Sequence, residues 1–185
     1  MRVSDFDFEL PAERIALRPA VPRESAKLLV VSPEAMGDRT VADLPAELRS
    51  GDVLVFNNTK VIPAALSGHR VGRLGTSPKI EALLHQRMDG ATWKAFVKPA
   101  KKLIAGDHLR FGDLEADVCA KGEAGEVTLV FSVAGADLDA ALAVAGRVPL
   151  PPYIESQRAQ DAQDRADYQT IYARHDGAVA APTAG

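Results

Sequence analysis

A single cysteine, Cys119, leaves this chain no internal disulfide and suits a reducing compartment. Aromatic residues are only 5% of the sequence, and no apolar run approaches the roughly 20 residues of a membrane span. The opening MRVSDFDFELP has no basic stretch followed by an apolar one, so no secretory leader is visible, and Asn57-Asn58-Thr59 carries no meaning as a glycosylation site. There is no GxGxxG and no GxxxxGK[ST], which removes the dinucleotide fingerprint and the phosphate loop. It also disfavours a methyltransferase of the glycine-rich strand-to-helix type. The four histidines, His69, His85, His108 and His175, lie far apart, so no metal site is indicated. Ser67 and Ser77 have no nucleophile-elbow pattern around them.

What remains is ordinary globular composition. Hydrophobic residues are 46% and charged residues 25%, enough to bury a core at this length. Net charge is −3, so the whole chain is not a basic nucleic-acid binder. The distribution is uneven. Residues 67–147 carry 11 basic and 10 acidic side chains, whereas both flanks are acidic. Within WKAFVKPAKKLIAGDHLR, the cations Lys94, Lys98, Lys101, Lys102 and Arg110 meet one carboxylate, Asp107. These five are candidate RNA contacts on a single strand-loop-strand face, with Trp93 and Phe96 as stacking groups.

Periodicity divides the chain at two places. Residues 1–66 read as mixed α/β. LPAERIAL suggests a helix opened by Pro11, KLLVV a strand, ADLPAELRSGD a short helix stopped by Gly51, and VLVFN a buried strand. From Ser67, strand-length runs follow one another: KIEALLHQRM, TWKAFV, HLRF, LEADVCAK and EVTLVFSV. Asp89-Gly90 joins the first two as a hairpin. DLDAALAVAG reads as a helix with Asp137 at its N-cap and Gly146 as its stop. The expected fold class is an α/β (α+β) domain, incomplete, with an inserted antiparallel β-barrel-like domain at 67–147. Residues 148–185 return to the α/β part. There VPLPPYIE is held extended by Pro149, Pro151 and Pro152, a pattern that a stiff linker also satisfies. Tyr168 and Tyr172 stand at helical i,i+4 spacing.

SDFDFELP, PRESAKLLV, GDVLVFNNTKVIPA, GRVPLPPYI, DYQTIYA and GAVAAPTAG occur in this order. Together they resemble the S-adenosylmethionine:tRNA ribosyltransferase-isomerase family of queuosine biosynthesis. The resemblance spans the chain and is weakest across 67–147. Family members continue past the APTAG segment, so the chain looks like the N-terminal part of such an enzyme, ending at Gly185 inside a motif. Four positions depart from the pattern. Ala178 stands where Ser is usual, Asn58 and Lys60 replace Asp and Arg, and Asp167 replaces Arg. Lys60 keeps the charge but loses the bidentate geometry of arginine.

The resemblance implies a reaction. The ribosyl part of S-adenosylmethionine moves onto 7-aminomethyl-7-deazaguanine in tRNA and isomerises to give epoxyqueuosine, releasing adenine and methionine. It implies no bound cofactor and no metal, S-adenosylmethionine as the donor substrate, tRNA as partner, a monomer, and the cytoplasm. A sulfonium favours aromatic faces and carboxylates, which Tyr168, Tyr172 and Asp167 supply. Ribose hydroxyls need small polar partners, and Asn57, Asn58, Thr59, Gln169 and Thr170 are candidates. Asn57–Thr59 also reads as a turn after a strand. Ala181, Pro182 and Thr183 offer backbone for close approach, and Arg23 and Lys60 could hold phosphate or carboxylate. The general base is unassigned. A non-catalytic RNA-binding β-barrel module is the competing expectation.

Overall fold

The structure is a computed structural model that describes residues 1–72 and 75–183. In chain order its strands are β1 (Lys27–Val31), β2 (Met36–Thr40), β3 (Thr59–Val61), β4 (Ala65–Val71), β5 (Lys79–Arg87), β6 (Thr92–Lys98), β7 (His108–Phe111), β8 (Leu114–Lys121), β9 (Glu126–Phe131) and β10 (His175–Ala178). The helices are α1 (Leu44–Glu47), α2 (Gly135–Ala145), α3 (Pro152–Glu155) and α4 (Asp164–Asp167). None of the described helices is long and apolar enough to cross a membrane. The chain divides into two compact units. One is Met1–Val55 with Pro152–Ala159, and the other is Phe56–Pro151 with Gln160–Gly185.

The first unit is built from local hydrogen bonds. β1 and β2 form an antiparallel hairpin, Lys27 opposite Thr40 and Val31 opposite Met36. Thr40 then donates both its backbone N–H and its hydroxyl to Asp43 Oδ2, each at 2.8 Å. The backbone bond is the larger cause of an Asp43 carboxyl held below its ordinary range. α1 follows and ends before Gly51, whose φ of +98° only glycine adopts freely. From the distal segment, Arg158 Nε donates to the Leu17 carbonyl at 3.1 Å. No residue of this unit is buried. Two expectations fail here. LPAERIAL gives only a 3-10 turn at Ala12–Arg14, because an isolated helix this short does not recover its nucleation cost without a packed face. VLVFN forms no strand, and Val53 and Val55 are 84% and 80% exposed. A continuous apolar run signals a wish for burial, but a strand also needs a neighbour, and no described strand pairs with this segment.

The second unit holds the core. Six antiparallel strands close into a barrel in the order β4-β5-β6-β9-β8-β7. Residues alternate in and out along each strand, as period two requires. Ile80, Ala82 and Leu84 of β5, Trp93, Ala95 and Val97 of β6, and Val127, Leu129 and Phe131 of β9 fill the interior. The expected barrel is therefore present, with its first strand starting at Ala65. Leu138 and Leu142 of α2 complete the same core. α2 begins at Gly135 with Ala134 as its N-cap. Asp137 sits inside the first turn, where it still favours the helix dipole but does not cap. Gly146 is the C-cap as expected. The proline stretch is no mere spacer. Arg147 bridges to Ala65, Val148 and Leu150 are buried, and the backbone turns helical at Pro152.

Two oppositely charged groups, Arg70 and Asp107, are buried together at the barrel wall, without a local signal in the sequence. Arg70 of β4 is buried, donates to the Lys102 carbonyl at 2.8 Å and to Thr76 Oγ1 at 2.9 Å, and stands 4.0 Å from the buried Asp107. Asp107 accepts the Ile104 N–H at 2.8 Å.

The β5–β6 turn yields a pH prediction. Asp89 Oδ1 accepts the N–H groups of Ala91 at 2.8 Å and Thr92 at 2.7 Å. These bonds, the Ala91 amide first, hold the carboxyl below its ordinary range. A depressed carboxyl contributes stability that is present above its unfolded pKa and lost as pH falls through the folded one. Acidification should therefore loosen this turn and raise amide exchange at Ala91 and Thr92 relative to its intrinsic rate at each pH. Asp89→Asn keeps the acceptor and should lose that acid dependence. Equal acid dependence in both proteins, by hydrogen-exchange NMR, would contradict this account.

Candidate substrate site at the β3–β10 ribbon

Segments more than a hundred residues apart meet in a two-stranded parallel ribbon. His175 lies opposite Thr59, Asp176 opposite Lys60 and Ala178 opposite Val61, with an irregularity between Asp176 and Ala178. The Arg174 and His175 N–H groups both donate to the Asn58 carbonyl, at 2.8 and 3.2 Å. Ile62 N–H donates to the Ala178 carbonyl at 2.9 Å.

The side chains expected at a substrate take different positions. Asn57 Oδ1 accepts both the N–H and the hydroxyl of Thr59, at 2.8 and 2.7 Å, so these two form an Asx turn that launches β3. Gln169 binds no open space with its amide. Its Oε1 accepts the Val61 N–H at 2.8 Å and its Nε2 donates to the Val61 carbonyl at 2.9 Å, acting as a one-residue strand beside β3. Asn58 and Lys60 are exposed, with Lys60 Nζ 3.9 Å from Asp176 Oδ1. Tyr172 stacks on Phe56 at 4.2 Å and 28°. Tyr168 closes α4, which ends at Asp167, so the two tyrosines do not share a helix and their i,i+4 spacing has no helical meaning. Thr170 Oγ1 is buried and has no hydrogen-bond partner among the described residues. Ala181 and Pro182 are half-buried and Thr183 is exposed, whereas Ala184 and Gly185 lie outside the described residues. Arg23 lies in the other unit, in the 3-10 turn Arg23–Ser25.

Two clefts border the ribbon. One of about 290 Å³ is lined by Lys60, Val61, Arg165, Gln169 and Asp176, among others. Arg165 there donates to the Ala143 carbonyl at 2.6 Å and thus caps the C-terminal end of α2. The other, about 260 Å³, is lined by Ile62, Arg87, Trp93, Asp139, Asp176 and Gly177. Arg87 pairs with Asp139 and lies 5.0 Å from the Trp93 ring centroid. The sequence reading missed Arg87, Asp139, Arg165 and Asp176. The first three carry no local signal, because they come from β5, α2 and α4. Asp176 stands directly before the GAVAAPTAG stretch and could have been found by its position.

The proposed RNA cations do not form one face. Lys94 and Lys98 lie on β6, and Lys101 and Lys102 in the 3-10 turn Ala100–Lys102 that follows. Arg110 lies on β7, three strands away around a ring of six, so its outward side chain leaves the opposite wall. It is also held by Glu115 at 2.8 Å. Sequence proximity suggested one surface, and barrel closure separates the two strands.

The family model described as "Queuosine biosynthesis protein" matches residues 3–185, and the chain belongs to that family. An S-adenosylmethionine:tRNA ribosyltransferase-isomerase of Bradyrhizobium diazoefficiens is 60% identical, covering 100% of this chain and 53% of that protein. Its namesake from Methylobacterium radiotolerans is 59% identical, covering 100% and 52%. Among solved structures, an S-adenosylmethionine tRNA ribosyltransferase from Thermotoga maritima is 32% identical, covers 83% of this chain and 53% of its own, and has a TM-score of 0.36. The chain spans about half the length of the curated relatives it matches.

Proposed function

We propose that this chain is part of an enzyme that transfers and isomerises the ribosyl group of S-adenosylmethionine onto 7-aminomethyl-7-deazaguanine in tRNA. Epoxyqueuosine forms on the tRNA, and adenine and methionine leave. The observation that carries this reading is the ribbon. Two of the segments that carry the resemblance, GDVLVFNNTKVIPA and GAVAAPTAG, are far apart in sequence and adjacent in the fold. Their meeting suits a site and is not required by the barrel, which closes without them.

The residues divide by role. Gln169, Asn57 and Thr59 shape the ribbon. Lys60, Asp176, Asn58 and the Thr170 hydroxyl remain to meet a ligand, with Tyr168, Tyr172, Ala181, Pro182 and Thr183 around them. Asp176 suits the sulfonium, and Lys60 suits the methionine carboxylate or a tRNA phosphate. Each cleft falls below the usual volume of a drug-sized pocket, roughly 300–1,000 Å³, so each fits a portion of the donor. The proton abstraction that opens the reaction stays unassigned. The flanks 1–66 and 148–185 would form one α/β domain, a reading supported within one unit by the Arg158–Leu17 bond and within the other by the β3–β10 pairing. The enzyme would act as a cytoplasmic monomer without a bound cofactor.

The test is adenine release from S-adenosylmethionine in the presence of tRNA carrying the aminomethyl-deazaguanine base. A polypeptide extended to the length of the relatives should release adenine, and residues 1–185 alone should not. In the extended protein Thr183→Ala should lower turnover about tenfold, the worth of one hydrogen bond. Its melting temperature should hardly move, since Thr183 is exposed. An extended protein that releases no adenine but binds tRNA would favour the non-catalytic RNA-binding module.

A further inference from the structure

We propose that the outward face of β6, with the turn that follows it, receives an unpaired base of the RNA substrate. Phe96 is its stacking platform, and Lys98 and Lys101 are its phosphate contacts. This rests on reading tRNA as the substrate.

The barrel interior does not need Phe96. Its strand neighbours Ala95 and Val97 point inward and are buried, while Phe96 points outward and is 45% exposed. A single exposed apolar side chain is ordinary. This one is held in a fixed orientation. The His85 ring from β5 stacks on it at 4.5 Å and 22°. His85 Nε2 in turn lies 3.2 Å from Glu126 Oε2 on β9, and Lys94 Nζ lies 3.4 Å from the other oxygen of the same carboxylate. Three strands therefore hold one aromatic ring, which still keeps 45% of its surface open. A preorganised ring loses little entropy when a base stacks on it.

The surroundings carry the sign of charge that RNA needs. Glu126 is occupied by His85 and Lys94, and Glu81 by Lys79 at 3.2 Å. Lys98 is the next outward residue after Phe96 on β6, about 7 Å along the strand. Lys101 is exposed in the turn beyond, and Lys121 reaches the same turn by donating to the Ala100 carbonyl at 3.1 Å. The other aromatic of this strand, Trp93, is 6% exposed and points into the barrel, so it cannot serve. An aromatic face bordered by cations binds single-stranded RNA with little sequence preference, and a folded duplex offers no base to stack.

The experiment measures binding of the 185-residue chain to a tRNA and to a short unstructured RNA over a range of salt. Phe96→Ala should weaken the unstructured RNA about 5- to 150-fold, the worth of one stacked base, and leave the salt slope unchanged. Phe96→Tyr should bind like the unsubstituted chain. Lys98→Ala with Lys101→Ala should flatten the salt slope by about 0.7 per lost contact. Phe96 is exposed, so the thermal melts should superimpose and exclude misfolding. If the unsubstituted chain binds RNA and Phe96→Ala binds as well, the platform is wrong while the tRNA reading stands. If the unsubstituted chain binds neither RNA, the platform falls, while the tRNA reading stands or falls with adenine release by the extended protein.

Discussion

Gly68→Ala is expected to open the barrel. A Cβ on Gly68 would lie 2.0 Å from the Arg110 carbonyl oxygen and 2.6 Å from Phe111 Cδ1. The first obstacle is backbone, so no rotamer change relieves it. The position is the seam where β4 meets β7, with His69 opposite Arg110 and Arg70 opposite Leu109. These are the strands whose pairing closes the ring. Either the seam separates or the neighbouring register distorts. Overpacking of this kind costs about 3 kcal/mol or more. For a unit of this size, between the small and medium domain ranges, that lowers the melting temperature by about 9–18 °C. Gly90→Ala is the control, because its Cβ meets nothing nearer than 3.8 Å. Thermal unfolding followed by circular dichroism decides the matter. A Gly68→Ala melt within 2 °C of the parent, with Gly90→Ala unchanged, would show that the seam tolerates a side chain.

The barrel's strands were legible because half-buried strands carry alternating residues. KIEALLHQRM and TWKAFV alternate, and Asp89-Gly90 marks the turn between them. The closure was not legible. Nothing local in SGHRV says that its glycine faces a backbone oxygen more than 40 residues away. Nor does the sequence around Arg70 announce a buried guanidinium, since its acceptors come from Thr76 and Lys102. VLVFN misled for a related reason. Apolar composition reports that a segment is better off buried, and says nothing about which strand would cover it.

The candidate site was legible as a set of segments and less so as a set of roles. The NNTK stretch and the residues before APTAG do meet. Residue type then suggested ligand contacts for side chains that hold the backbone. Asn57 and Gln169 are polar in order to satisfy neighbouring peptide groups, and a sequence cannot show whether an amide faces a ligand or a strand. The Arg87–Asp139 pair spans 52 positions, and only the docking of α2 on the barrel brings it to the cleft.

Gln169 is therefore expected to act through the ribbon and not on the substrate, and a carboxylate in its place should show this. Val61 is 3% exposed, so its N–H and carbonyl depend on the Gln169 amide. Gln169→Ala leaves both peptide groups unpaired, at about 1–3 kcal/mol each. The ribbon is short and can detach while the barrel stays closed. The expected result is faster exchange at the Val61 amide, by a factor of roughly a hundred, with little change in the main unfolding transition. Gln169→Glu is more telling. The ionised side chain still accepts from Val61 N–H but presents a second acceptor to the Val61 carbonyl. Protonation restores a donor there, so the folded ribbon favours the neutral acid and raises the pKa of Glu at position 169. A raised carboxyl pKa contributes stability that is present below its unfolded value and lost as pH rises through the folded one. Val61 exchange in Gln169→Glu, corrected for the intrinsic pH dependence, should approach that of the parent in acid and that of Gln169→Ala at neutral pH. In the protein extended to the length of its relatives, adenine release should fall with the same pH dependence. Protection at Val61 that is unchanged in both variants would show that the amide does not hold β3.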